Sequence, residues 1–118
     1  MSYVEGYLIP VPADKEDAYR KQAEAAAPIF LGLGATSVVE NWESDVPDGT
    51  HTDFRKAVKA EADEKIVFSW IVYPDKATRD AAHKAMMDDP RFEALGDMPF
   101  DGKRMIFGGF TTILDQGK

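Results

Sequence analysis

The segment 66–73, IVFSWIVY, has large apolar side chains at both odd and even positions. Because successive side chains of a β-strand point to opposite faces, a strand formed by this segment is apolar on both faces. Strands of that kind lie in the middle of a sheet, with a covering layer on each side. Pro74 follows directly and ends the strand, since proline cannot donate a hydrogen bond to the ladder. The segment therefore predicts a central strand in a sheet that is covered on both faces.

The other predicted elements are strands and helices separated by proline, glycine and aspartate. Each was assigned from the period at which its apolar side chains recur. The predicted strands are 3–11, 36–44, 65–73 and 104–114, and the predicted helices are 14–31 and 75–88. Asp14 and Asp75 stand where the two helices need an N-cap. The residues between 88 and 104 are predicted to form an irregular connector.

Each predicted helix has a stripe of small or apolar side chains that suits packing on a sheet. The stripes consist of Tyr19, Ala23, Ala26 and Phe30 in the first helix, and of Ala77, Ala81, Ala82 and Ala85 in the second. We expect both stripes to be buried against the sheet.

The segment 54–61 is ambiguous. The alternation of Phe54, Lys56, Val58 and Ala60 favours a short strand, whereas the content of Ala, Lys, Arg and Glu also suits a helical turn. We predict a strand that pairs with 65–73 through a turn at 62–64.

The order of elements predicts an α+β fold. It matches the ferredoxin-like βαββαβ pattern, an antiparallel sheet with two helices on one face. In that topology the first strand and the strand 65–73 lie in the middle of the sheet, in agreement with the apolar character of 65–73. The length of 118 residues is that of one domain, 1–118.

Two helices on one face leave the other face of the sheet uncovered. Large apolar side chains nevertheless lie on both faces of two predicted strands: Phe68 and Trp70 alternate with Val67 and Ile71, and Met105, Phe107 and Ile113 alternate with Ile106, Phe110 and Leu114. At about 25 cal/mol per Å² of apolar surface, covering a few aromatic rings is worth on the order of 10 kcal/mol before entropic costs. A twofold dimer in which two sheets face each other is the simplest way to cover them. We therefore predict a homodimer.

Five segments of the chain resemble one known family. They are 38–42 (VVENW), 46–49 (VPDG), 52–61 (TDFRKAVKAE), 67–70 (VFSW) and 98–110 (MPFDGKRMIFGGF). In this order they resemble the YbaA-like family of uncharacterised bacterial proteins. The resemblance implies a dimeric α/β barrel, an arrangement of ferredoxin-like proteins that includes cofactor-independent monooxygenases and small stress-related proteins. It implies no particular activity and no catalytic residues.

The composition argues against several classes of function. The chain has no cysteine, which excludes disulfides, iron–sulfur clusters and cysteine nucleophiles. Its formal net charge of −7 repels phosphate backbones and anionic lipids, so we expect no nucleic-acid or membrane partner. The first residues lack the basic start and apolar run of a signal peptide, and we expect a cytoplasmic protein. No feature implies a metal or an organic cofactor.

Glu40 is the candidate for a catalytic residue. It lies between Val38 and Trp42 on one strand face, and burial of that face would raise the pKa of its carboxyl group and suit it to acid–base chemistry. The alternative is a structural glutamate paired with Lys59 or Arg104. Glu5, between two tyrosines, has the same two interpretations.

Three aromatic residues, Trp42, Trp70 and Phe107, are predicted to line a ligand crevice between the facing sheets, together with Glu5. The alternative, which we favour, is that they form the core of the dimer interface. Ser69 has no neighbouring base that would make it a nucleophile, and we expect it to be a small residue that eases packing.

The histidines do not predict a metal site. His51 and His83 are far apart in sequence, whereas metal ligands usually recur at short, recognisable spacings. We expect both side chains to be solvated.

Two hypotheses about function remain open. In the first, a homodimer binds a small apolar or aromatic molecule in a crevice between the sheet and its partner. In the second, the protein is a non-catalytic structural or protein-interaction module.

Overall fold

The computed structural model describes residues 2–117, which form one four-stranded antiparallel sheet and its helices. The strands are β1 (Tyr3–Pro12), β2 (Ser37–Trp42), β3 (Glu64–Tyr73) and β4 (Ile106–Thr111). The helices are α1 (Glu16–Gly32), α2 (Phe54–Ala57), α3 (Lys76–Met87) and α4 (Pro90–Glu93), and a 3₁₀ turn at Ala13–Lys15 precedes α1.

The strand order is β2-β3-β1-β4, so β1 and β3 are central. This confirms the antiparallel α+β prediction and the central position of 65–73. The register aligns Glu40 with Ser69, Ser69 with Tyr7, and Tyr7 with Phe107. These four residues therefore form one row that crosses the whole sheet.

The two faces of the sheet differ in whether helices cover them. The inner face, defined by the odd-numbered residues of β1 and β3, lies beneath α1 and α3. Tyr19 of α1 packs there with Ile9 and Val67, and Ala82 of α3 packs with Ile71 and Tyr73. Burial of this face by two helices provides the core of the fold.

The outer face, defined by the even-numbered residues of β1, β3 and β4, has no helix layer over its centre. Phe68 and Phe110 are 46% and 63% exposed there, and Ile106 is also exposed. The ring of Phe54 from α2 contacts Phe68 at the border of this face, with 5.9 Å between ring centroids. Large exposed side chains thus lie next to one another on the outer face.

The strand predicted at 54–61 is wrong, because this segment contains the helical turn α2. The carboxylate of Asp53 caps the turn by accepting a hydrogen bond from the backbone N–H of Lys56, at 2.6 Å. Arg55 then donates to the carboxylate of Glu43 and to two backbone carbonyls. Local hydrogen bonds of this kind compete with strand pairing, and the alternation of side chains does not reveal them.

Several predicted boundaries also differ from the structure. Asp14 lies in the 3₁₀ turn and does not cap α1, whose N-cap position is Lys15. Asp75 does cap α3, since its carboxylate accepts from the backbone N–H of Thr78. The last strand is shorter than predicted, and the connector contains α4, with Asp89 at its N-cap.

Candidate functional site

The row of polar side chains on the inner face is the centre of the candidate site. Tyr7, Ser69 and Glu40 follow one another across β1, β3 and β2. Tyr19 belongs to α1, which packs over this row, and its hydroxyl donates a hydrogen bond to Oε1 of Glu40 at 2.7 Å. This contact brings a helix hydroxyl, a strand carboxylate and a buried serine together beneath α1.

The small side chains of α1 leave space above this row. One and two turns after Tyr19, the helix places the small side chains of Ala23 and Ala26 over the sheet. A cavity of about 300 Å³, here called the inner cavity, lies beneath them. Tyr7, Tyr19, Glu40 and Ser69 line the inner cavity on its polar side. A second space of about 340 Å³, the edge cavity, opens between α1 and β2 and shares Tyr19, Ala23 and Glu40 with the first.

The connector after α3 forms the remaining wall of the inner cavity. Its contributing side chains are apolar and include Phe92, Leu95, Met98 and Phe100. Gln22 of α1 donates to the backbone carbonyls of Leu95 and Asp97, at 3.1 Å each, and so fastens the connector to the helix.

Burial beneath α1 shifts the pKa values of the ionisable groups in the row. It raises the pKa of the Glu40 carboxyl group, although hydrogen bonds from Tyr19 and Ser69 act in the opposite direction. Burial, together with nearby carboxylates, also raises the pKa of Tyr7 and of Tyr19 well above the usual range. Both tyrosines are therefore protonated at neutral pH, and their hydroxyl groups are hydrogen-bond donors.

A second polar cluster lies beneath α3. Glu5 is 1% exposed, with His83 Nε2 at 2.6 Å from its Oε1 and Arg79 Nη1 at 3.4 Å from its Oε2. Arg79 also donates to the hydroxyl of Tyr3 at 3.1 Å, and its guanidinium lies 4.8 Å from the centroid of that ring. Gly109 permits this position of Tyr3, because a Cβ atom at Gly109 would overlap the ring. Glu5 therefore links α3 to the sheet.

The hydroxyl of Tyr73 is buried near this second cluster. Among the described residues it has no hydrogen-bond partner. Burial raises the pKa of Tyr73 to about 12, and the nearby Glu5 acts in the same direction. The hydroxyl thus stays protonated next to the cluster.

Glu40 lies in the candidate site, whereas its predicted structural partners lie elsewhere. Arg104 forms a bidentate pair with Glu64, with both N–O distances at 2.7 Å, and this pair holds the pKa of Glu64 below its usual value. Lys59 makes no described side-chain contact with Glu40. The interpretation of Glu40 as half of an ion pair with Lys59 or Arg104 is therefore wrong.

The structure does not bring the predicted ligand-binding residues together. Trp42 lies on the inner side and lines the edge cavity, whereas Trp70 lies on the outer face with its ring 5.3 Å from that of Phe68. Phe107 stacks on Tyr7 at 6.0 Å between centroids, on the edge strand β4. Glu5 belongs to the separate cluster beneath α3.

The histidines differ from each other. His51 is exposed, as predicted, but the prediction of a solvated His83 is wrong, because its imidazole contacts the buried carboxylate of Glu5. Within residues 2–117 no group of three or more His, Asp and Glu side chains is arranged to hold a metal ion. None of the helices described there is long and apolar enough to cross a membrane.

Two polar features of the inner face are not evident from the sequence pattern. Tyr19 was assigned only to an apolar stripe, although a tyrosine followed by alanines at helical spacing can place its hydroxyl above an open space. The inward stripe of α3 consists of Thr78, Arg79, Ala82 and His83, whereas Ala77, Ala81 and Ala85 are exposed. The spacing of Arg79 and His83, one turn apart, was the available signal.

Comparison with known proteins shows the family. A family described as "protein of unknown function (DUF1428)" matches residues 2–102. The chain belongs to this family. It is 61% identical over 117 residues to the "Uncharacterized protein YbaA" of Escherichia coli K12, covering 98% of this chain and 100% of that protein, and equally similar to the YbaA of Shigella flexneri. The resemblance to YbaA-like proteins is thus confirmed.

Solved structures with little sequence identity share the fold of this DUF1428 member. A dimeric ferredoxin-like protein from an uncultured marine organism matches with a TM-score of 0.58 and 13% identity, over 98% of both chains. A protein of Nitrosomonas europaea described as a "Putative antibiotic biosynthesis monooxygenase" matches with a TM-score of 0.54 and 9% identity, over 98% of this chain and 94% of that one. Both similarities confirm the ferredoxin-like fold.

Proposed function

We propose that this chain is a single-domain, homodimeric protein that binds a small apolar or aromatic molecule in the inner cavity. The observation that carries the proposal is the cavity itself, which combines apolar walls with a short polar row at its floor. A volume of about 300 Å³ is at the lower end of the range for small-molecule sites.

The walls favour an aromatic or aliphatic ligand. Tyr19 and Phe100 lie 5.9 Å apart between ring centroids, and Phe30 and Phe92 lie 5.2 Å apart in an edge-to-face arrangement. Aromatic walls of this kind bind apolar groups through large contact areas.

The polar row would orient the ligand. Glu40 offers an acceptor, and Tyr7 and Ser69 offer hydroxyl groups on the same side of the cavity. A carboxyl group with a raised pKa is also suited to exchange a proton with a bound ligand. The description of the Nitrosomonas europaea neighbour as a monooxygenase agrees with a small organic ligand, and at 9% identity it transfers no catalytic residue.

The outer face supports the homodimer. It exposes Phe68, Ile106 and Phe110 side by side, with a groove of about 270 Å³ between them. Contiguous exposed apolar side chains of this size usually mark an interface. A structural neighbour is described as dimeric, and two outer faces placed together would form the α/β barrel that the resemblance to YbaA-like proteins implies. A cytoplasmic location stays a prediction.

A screen of small organic molecules by thermal shift, followed by calorimetric titration, tests the ligand site. Ala23→Leu would fill the inner cavity, and Ala25→Leu adds the same group on the exposed side of α1. We expect Ala23→Leu to weaken binding at least tenfold and Ala25→Leu to leave it unchanged. Equal effects of the two substitutions, or no ligand in the screen, would favour the alternative of a non-catalytic interaction module.

A further inference from the structure

Building on the ligand-binding function proposed above, we propose that the ligand is an organic ammonium ion whose charged group lies against the carboxylate of Glu40. The charges around the inner cavity and the composition of its walls point to this class of molecule.

Glu40 is an exposed residue of β2 whose carboxylate lies beneath Tyr19, and it differs in its partners from the glutamates that are buried or half-buried. Glu5 contacts Arg79 and His83, Glu43 pairs with Arg55 at 2.9 Å, and Glu64 pairs with Arg104 at 2.7 Å. Among the described ion pairs there is none for Glu40. Its hydrogen-bonding partners are the neutral hydroxyl groups of Tyr19, at 2.7 Å, and of Ser69, and neither of them carries a charge that would compensate the carboxylate. A carboxylate placed beneath a helix without a cation lacks the partner that normally offsets its desolvation.

The charges around the site exclude an anionic ligand. Of the side chains that line the inner cavity, Glu40 alone carries a formal charge. The edge cavity adds Glu16, Glu24 and Arg20, and Arg20 already contacts Asp17 at 3.0 Å and Glu24 at 3.7 Å. The chain as a whole has a net charge of −7, which attracts cations and repels anions.

The aromatic walls distinguish an ammonium ion from a neutral alcohol. Tyr7, Tyr19 and Phe100 line the cavity together with Glu40, and aromatic faces attract cations. An alcohol would donate one hydrogen bond to the carboxylate but would leave its charge uncompensated. An ammonium ion supplies both the hydrogen bond and the opposite charge, so the site discriminates in its favour.

Calorimetric titration with three matched sets of probes tests the proposal. The sets are phenylalkyl ammonium ions of increasing chain length, the alcohols in which a hydroxyl replaces the ammonium group, and the corresponding carboxylates. We expect the best ammonium ion to bind at least tenfold more tightly than its alcohol, and the carboxylates to bind most weakly.

Three variants test whether Glu40 causes the preference for ammonium ions. Glu40→Gln keeps an acceptor for Tyr19 but removes the charge, and it should reduce ammonium binding to the level of the alcohol. Glu61→Gln removes the same charge from an exposed residue outside both cavities and should change nothing. Tyr19→Phe, which keeps the carboxylate and frees its Oε1, should retain the preference for ammonium.

The outcomes separate this inference from the proposed function. Binding of alcohols as tight as that of ammonium ions, or an unchanged preference in Glu40→Gln, would overturn the ammonium assignment while leaving the ligand site intact. Absence of binding by all three sets would overturn both. A preference for ammonium that is lost in Glu40→Gln and kept in Glu61→Gln supports both.

Discussion

At the scale of single residues, two glutamates on the inner face have opposite surroundings. Glu5 is fully buried and compensated by a guanidinium and an imidazole, whereas Glu40 lies on the edge strand with a hydroxyl as its close partner. The first arrangement holds α3 against the sheet, and the second leaves a carboxylate without a charged partner. The difference arises because α1 places a tyrosine hydroxyl next to Glu40, whereas α3 places an arginine and a histidine next to Glu5.

Glu5→Ala should strongly destabilise the protein. The substitution leaves Arg79 without its buried carboxylate partner, and loss of one member of a buried ion pair typically costs about 3–5 kcal/mol. Asp80→Ala removes an exposed partner of the same arginine and should cost much less, because exposed ion pairs contribute little to stability. The free energies of unfolding from urea denaturation give both values, and similar costs would contradict the structural role of Glu5.

Glu40 should make the stability of the protein depend on pH. The folded-state pKa of Glu40 is raised above its ordinary value of 4.5, so the folded state retains the proton to higher pH than the unfolded state does. Its favourable contribution is therefore complete below pH 4.5 and is lost as the pH rises through the folded-state pKa. We expect Glu40→Gln to gain stability relative to the wild type across this window.

Urea denaturation of both proteins at a series of pH values measures this difference. Glu61→Gln, which removes the same formal charge from an exposed site, corrects for the general effect of net charge. A difference between Glu40→Gln and Glu61→Gln that shrinks with rising pH would show that the pKa of Glu40 is not raised.

At the scale of elements, the sequence was most informative for the central strands and least informative for α2 and α3. The segment 65–73 indicated a central strand because its large apolar side chains lie at both odd and even positions and so on both faces of the sheet. The alternation of side chains at 54–61 predicted a strand where the chain forms a helical turn. The side chains that determine the structure there are Asp53, which caps the turn, and Arg55, which donates hydrogen bonds to backbone carbonyls. Their effect depends on carbonyl groups that only the folded chain brings near.

The orientation of α3 shows a second limit of sequence analysis. Four alanines suggested a buried apolar stripe, but the helix turns Arg79 and His83 towards the sheet because Glu5 lies there. A glutamate at the centre of a sheet determines which helix face is favourable. That pairing involves residues more than seventy positions apart, which local periodicity cannot reveal.

The two predicted N-caps provide a test at this scale. Asp75→Ala should lower the melting temperature measurably, because its carboxylate caps α3 by accepting from the backbone N–H of Thr78 at 2.8 Å. Hydrogen bonds from the side chain of Thr78 and then from its backbone also lower the pKa of Asp75. Asp14→Ala should have little effect, since Asp14 makes no capping hydrogen bond. Thermal denaturation at neutral pH compares them, and an equal loss in both variants would contradict the assigned helix starts.

At the scale of the whole molecule, the two faces of the sheet have separate roles. The inner face beneath α1 keeps a cavity with one uncompensated carboxylate, and the outer face exposes an apolar surface. The sequence indicated that apolar surface correctly, because the apolar residues exceeded what two helices can cover. It did not indicate the cavity, which depends on the alanines of α1 and the position of the connector.

Phe110→Asp should dissociate the proposed dimer. The substitution places a charge in the middle of the apolar outer face, where an unpaired buried charge is unfavourable. Met87→Asp introduces the same group at an exposed position of α3 and should leave the assembly unchanged. Sedimentation velocity gives the assembly state, and circular dichroism verifies that both variants are folded. A dimeric Phe110→Asp protein would place the interface elsewhere.

The assembly state of the unmodified chain tests most directly whether the outer face is covered by a second copy. Sedimentation equilibrium at micromolar concentration should give a mass twice that of the 13.1 kDa chain. A single species of 13.1 kDa under the same conditions would mean that Phe68, Ile106 and Phe110 remain in solvent, and it would contradict the assignment of the outer face to a homodimer.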